Sequence, residues 1–137
     1  MSQPVILIIE DNEQNLYLMR FLLERHGFAV QSATDGREGI ATALGLVPDM
    51  ILLDIQLPLL DGYAVARELR AHASLANVPI VAVTSYAMPG DREKCLDAGA
   101  TDYIEKPIDP DTFVARIGRH LANPDRGTEP QRNGAQP

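Results

Sequence analysis

What this 137-residue chain has little of narrows its character first. It contains one cysteine, Cys95, so it cannot close an internal disulfide, and a reducing cytoplasm is the expected compartment. Positive charge is scarce. Twelve lysines and arginines stand against 19 aspartates and glutamates, a net charge of −7, so binding to a nucleic-acid backbone or an anionic membrane would work against repulsion. No direct nucleic-acid or membrane partner is expected. The apolar runs are short, as in Met50 to Leu53, against the roughly 20 residues of a membrane span. Met1 to Pro4 lacks the basic-then-apolar opening of a signal peptide. No P-loop pattern occurs, and Gly36 with Gly39 does not make a dinucleotide fingerprint, which disfavours nucleotide binding.

What is present is ordinary globular material, 45% apolar and 23% charged. The length suits one domain burying roughly 68–70% of its unfolded surface. Residues 1–121 carry the folded pattern. Residues 122–137 are rich in Pro, Gly, Asn and Gln, with Asp125 and Glu129 balancing Arg126 and Arg132. A flexible polar tail is expected there, leaving the whole net charge on the body.

Along the body, short β-branched runs alternate with helical patterns. Strands are expected over 5–9, 28–32, 50–54, 80–83 and 101–104, and helices over about 13–26, 35–46, 62–72, 91–98 and 109–121. Asn12 or Asp11 could cap the first helix. Continuous apolar strands indicate burial on both faces, so the expected class is α/β: a doubly wound five-stranded parallel sheet with five helices.

In such sheets ligands bind beyond the carboxyl ends of the strands. Strand one ends at Glu10-Asp11, strand three at Asp54, strand four at Thr84-Ser85, and strand five leads to Lys106-Pro107. Three carboxylates brought together repel unless a cation lies among them, and a hard divalent ion such as Mg2+ suits oxygen ligands. Mg2+ keeps company with phosphate oxygens. A lysine supplies a compact charge for a phosphoryl group, a threonine hydroxyl a hydrogen bond, and a carboxylate a nucleophile. Only Lys94 and Lys106 are lysines among the basic residues, so arginine is the default surface cation and a strand-end lysine stands out.

Taken in order, Glu10-Asp11, Asp54 in LLDIQLP, Asp61-Gly62 in LLDG, Thr84 in VAVTS and Lys106-Pro107 in YIEKP resemble the response-regulator receiver family of two-component signalling over residues 4–121. The resemblance is to the CheY-like, single-domain type. It implies a flavodoxin-like strand order 2-1-3-4-5 and a phosphorelay role, with Asp54 phosphorylated by a phosphohistidine on a sensor histidine kinase or histidine phosphotransferase. It further implies Mg2+ held by Asp11, Asp54 and the backbone carbonyl of Gln56, with Glu10 acting through water. Receivers often carry Asp at the position of Glu10. Lys106 would pair with the acceptor and then the phosphoryl group, Thr84 and Tyr103 would switch, and the Lys106–Pro107 bond would be cis. Gln56 and Tyr86 would flank the line of water attack and set phosphate lifetime. The output would be a downstream protein target bound through the fourth helix, fifth strand and fifth helix, with intrinsic phosphotransfer and autodephosphorylation but no substrate turnover.

Other residues read more plainly. Cys95 is expected as a buried small hydrophobe, and His26, His72 and His120 lie near helix ends without metal-ligand spacing. Apart from the switch role that the resemblance implies, the plainer reading of Tyr103 is a half-buried strand aromatic. From Leu16 to Leu23 every residue but Arg20 is apolar or aromatic, more than a helix on one sheet face needs. Leu18, Phe21 and Leu22 are therefore candidates for docking a partner helix or a second copy of the chain, against the alternative of deeper burial. Three rival functions remain. A haloacid dehalogenase-like phosphatase would want a second Asp where Gln56 stands, a silent scaffold would not need intact site residues, and the chain could be a receiver severed from a larger kinase or regulator.

Overall fold

Five residues of uninterrupted aliphatic side chain, Val5–Ile9, form the inner strand β1. In the computed structural model, which describes residues 3–57, 61–85 and 89–121, this strand is flanked on both sides. The order along the chain is β1, α1 (Glu13–Arg25), β2 (Ala29–Ala33), α2 (Gly36–Leu46), β3 (Met50–Asp54), α3 (Gly62–Ala71), a 3-10 turn (Ala73–Leu75), β4 (Ile80–Thr84), α4 (Asp91–Asp97), β5 (Asp102–Glu105) and α5 (Pro110–Leu121). All strand pairs are parallel and the sheet order is β2-β1-β3-β4-β5, as expected. The expected tail over 122–137 lies outside the described residues, as does Tyr86.

Strand alternation divides the core in two. Leu7 and Ile9, Ile51 and Leu53, and Ile80 and Ala82 face the layer made by α2, α3 and α4, where Cys95 is also buried. Ile6 and Ile8, Met50 and Leu52, and Val81 and Val83 face α1 and α5, meeting Met19, Leu23, Phe113 and Ile117. Both faces of the three inner strands are thus apolar, which leaves their polar residues only at the ends. None of the described helices is long and apolar enough to cross a membrane.

Side chains fix where the helices begin. Asn12 caps α1 by accepting from Asn15 N–H at 2.9 Å, and Asp35 and Asp61 do the same for Glu38 and Ala64 in α2 and α3. Asp11 is therefore not the cap. Gly62 opens α3 directly against the end of β3: a Cβ there would stand 2.4 Å from Ile55 Cα, so only glycine lets this helix approach the Asp54–Ile55 backbone. Gly99 has φ +117°, and its carbonyl accepts from Arg70, whose guanidinium also reaches Leu75 O and Thr101 Oγ1. Arg70 ties the end of α3, the 3-10 turn and the start of β5 together.

The differences from expectation have local causes. The 28–32 strand moves on by one residue because Phe28 N–H closes the end of α1 on Leu23 O. The 101–104 strand also moves by one, since Thr101 instead accepts from Ile80 N–H and Arg70.

Candidate functional site

The carboxyl ends of β1, β3, β4 and β5 open on one edge of the sheet, and the polar residues placed there are buried. Glu10, one residue past β1, is 1% exposed, Asp54 4% and Thr84 2%. Glu10 Oε2 accepts from Asn12 N–H at 3.1 Å, and Asp54 Oδ1 accepts from Gln56 N–H at 2.9 Å. Lys106 follows β5, and its own N–H donates to Thr84 O at 2.8 Å, which brings the side chain across the strand ends. Its Nζ lies 3.0 Å from Glu10 Oε1 and 3.4 Å from Asp54 Oδ2. The peptide between Lys106 and Pro107 is cis.

Asp11 completes the group. One oxygen from each of Glu10, Asp11 and Asp54 lies within 4.8 Å of the others, with Asp11 exposed and the other two buried. The group thus holds three carboxylates, of which the Lys106 ammonium pairs with Glu10 and Asp54. Burial, and hydrogen bonding with Asp54, push the Glu10 carboxyl from 4.5 up to about 7 even though Lys106 pulls it down. This set suits a hard divalent cation by its chemistry: oxygen donors only, charge in excess of the resident lysine, and one carboxylate open to solvent.

Gln56 connects this acid group to β4. Its side-chain amide donates to Thr84 Oγ1 and accepts from Ser85 N–H at 3.1 Å. Sequence reasoning named Gln56 but not this double contact, and Ser85 enters through its backbone, which no motif reveals. Longer side chains at the Glu10 position carry a consequence too: Glu10 stands nearer Lys106 than Asp54 does.

The other named residues fall elsewhere. Tyr103 is half-buried against the α2–α3–α4 layer, its phenol raised by burial and then by Asp91 and Glu105. Together with Arg92, Glu105, Phe113 and Arg116 it lines a cavity of about 460 Å3 over β5. On α1 the three docking candidates separate. Leu22 is buried in the α1–α5 core and Leu18 packs partly against it, because both lie on the stripe shared with Met19 and Leu23. Phe21 remains 45% exposed, joined by Tyr17 at 70%, with the two rings stacked at 6.2 Å and Arg25 over Phe21. The outward patch is thus Tyr17–Phe21, and Leu22 is corrected to a core residue.

With the sheet order and the placement of these residues in view, comparison with known proteins settles the class. The sequence pattern described as the response regulator receiver domain matches residues 6–118, and the chain belongs to that family. It is 38% identical to the polar-differentiation response regulator DivK of Brucella ovis, over 86% of this chain and 96% of that one. It is 39% identical to the DNA-binding dual master transcriptional regulator RpaA of Synechocystis sp., over 90% of this chain but 51% of that protein, so it spans about half of that relative's length. Among solved structures, the receiver domain of a sensor histidine kinase from Pseudomonas aeruginosa PAO1 superposes with a TM-score of 0.83 at 37% identity, covering 89% of this chain and all of that one. That domain holds a magnesium ion in its active-site cleft.

Proposed function

We propose that this receiver acts as a single-domain response regulator whose phosphoacceptor is Asp54. The observation that carries the reading is the buried carboxylate of Asp54 at the end of β3, 3.4 Å from Lys106 and grouped with Glu10 and Asp11. A phosphohistidine on a sensor histidine kinase or histidine phosphotransferase supplies the phosphoryl group. An Asp54 carboxylate oxygen attacks phosphorus, the new O–P bond forms, and the P–N bond breaks with its electron pair returning to the imidazole.

Asp11, Asp54 and the Gln56 carbonyl would hold Mg2+, with Glu10 acting through water. When bound, the ion offsets the charge of the carboxylates and the incoming phosphoryl oxygens. Lys106 already faces Asp54 and supplies a second positive charge to the same oxygens. Thr84 and Tyr103 then shift together as one population, changing the surface of α4, β5 and α5 to which a downstream protein binds. The cavity beside Tyr103 supports that face as the output surface. Gln56 and Tyr86 govern access of water to the acyl phosphate. The outward Tyr17–Phe21 stack supports α1 as the docking face for the phosphodonor or for a second copy of the chain. The protein is a cytoplasmic switch with intrinsic phosphotransfer and autodephosphorylation only, without direct nucleic-acid contact. A second reading, a receiver belonging to a longer regulator, is supported by the half-length match to RpaA.

The test is intact mass after incubation with Mg2+ and acetyl phosphate, beside Asp54→Asn and a chelated sample. Gain of one phosphoryl group, lost in both controls, supports the reading. No gain in folded, Mg2+-binding protein contradicts it.

A further inference from the structure

We propose that Gln56 is a positioning residue, a latch that holds Thr84 and the start of the segment after β4 in the resting arrangement; this rests on the phosphoacceptor reading of Asp54. Three contacts converge on this one residue. Its backbone N–H is bound to Asp54 Oδ1 at 2.9 Å, its side-chain NH2 donates to Thr84 Oγ1, and its side-chain carbonyl accepts from Ser85 N–H at 3.1 Å. The backbone at this point is also fixed, since Ile55 N–H donates to Val83 O at 3.0 Å.

The planar amide can satisfy both β4 contacts in one orientation only. Flipped, it would set an NH2 against the Ser85 N–H, so the carbonyl must face Ser85 and the NH2 must face Thr84. The two bonds therefore depend on one and the same orientation of the amide. Drawing the Thr84 hydroxyl toward a group on Asp54 either breaks its bond from Gln56 or drags the amide with it and leaves the Ser85 N–H without this acceptor. The resting state keeps both bonds, and the phosphorylated state loses at least one. Gln56 thus sets the switching equilibrium through contacts that differ between the two states.

The test measures affinity for beryllofluoride in the presence of Mg2+ as a phosphoryl mimic, by calorimetry on the full chain. Gln56→Met keeps the length and removes both bonds, and it is expected to bind about tenfold more tightly than wild type. Gln56→Asn keeps the amide but is too short to span, and it should show the same gain if Met perturbs packing. In a Thr84→Val background the Gln56→Met change should alter affinity less than about twofold, because the latch acts through the hydroxyl. An equal gain in both backgrounds, or unchanged affinity in both Gln56 variants with wild type binding normally, overturns the latch alone. Failure of wild type to bind the mimic overturns the phosphoacceptor reading, and the latch with it.

Discussion

Glu10 and Asp102 are both carboxylates pressed against a cation on this sheet, and their surroundings drive them in opposite directions. Burial and hydrogen bonding with Asp54 raise Glu10 to about 7, with Lys106 shared between two acids. Burial also acts upward on Asp102, but His120, the Tyr103 N–H and Arg116 together outweigh it and hold that carboxyl below its usual 3.8. Asp102 has Arg116 Nη2 at 3.1 Å and His120 Nε2 at 2.9 Å, and Arg116 also donates to Tyr103 O at 2.8 Å. Within these two groups one is short of positive charge and the other is matched. Charge matching of this kind fastens α5 to β5. Charge excess at the strand ends costs stability and leaves a cluster of oxygen donors that suits a hard cation.

The contrast is broken most severely by removing the cation that Glu10 and Asp54 share. Lys106→Met should cost about 3 kcal/mol in urea unfolding, since two buried carboxylates lose their counter-charge, and should slow uptake from acetyl phosphate about 100-fold. Next comes the same substitution made in each group. Asp102→Asn should destabilise by about 1–2 kcal/mol, whereas Asp54→Asn should stabilise by up to about 1 kcal/mol while abolishing phosphorylation. Loss of stability in both would show that the strand-end group is not under charge repulsion.

The pH dependence sharpens the matched side. A depressed folded-state carboxyl contributes stability that is present above its unfolded value, near 3.8, and lost as pH falls through the lower folded value. The difference in urea midpoint between wild type and Asp102→Asn should therefore be full at pH 5–6 and shrink below about pH 4. A difference that grows on acidification would reverse the assignment. The smallest effect on stability is expected at α1: Tyr17→Ser with Phe21→Ser should change stability by about 0.5 kcal/mol or less. The pair should slow transfer from a phosphohistidine donor about tenfold while leaving uptake from acetyl phosphate unchanged.

The strands were legible because runs such as Val5–Ile9 and Ile80–Thr84 are bounded by charge or turn residues, whereas their order in the sheet followed from the family resemblance. The acids were legible for the same reason: in strands apolar on both faces, polar side chains collect at the ends. The rotational phase of α1 was not, since a nearly all-apolar stretch does not say which side faces the sheet, and Leu22 points inward while Tyr17 points out. Nor was the Asp102 group. Arg116 and His120 lie four apart on one face of α5, yet Asp102 is 14 and 18 residues away in sequence and only the packing of α5 on β5 joins them. The Gln56 contacts were hidden likewise, because they span 28 and 29 residues and one of them ends on a backbone N–H.

The central claim is that Asp54, of the three clustered acids, is the one that accepts the phosphoryl group. Borohydride reduction of the acetyl phosphate-treated chain converts an aspartyl phosphate to homoserine, which peptide mass mapping can place. Homoserine at position 54 alone is the predicted result. Homoserine at Asp11, or none anywhere in chain shown to have gained a phosphoryl group, would contradict it.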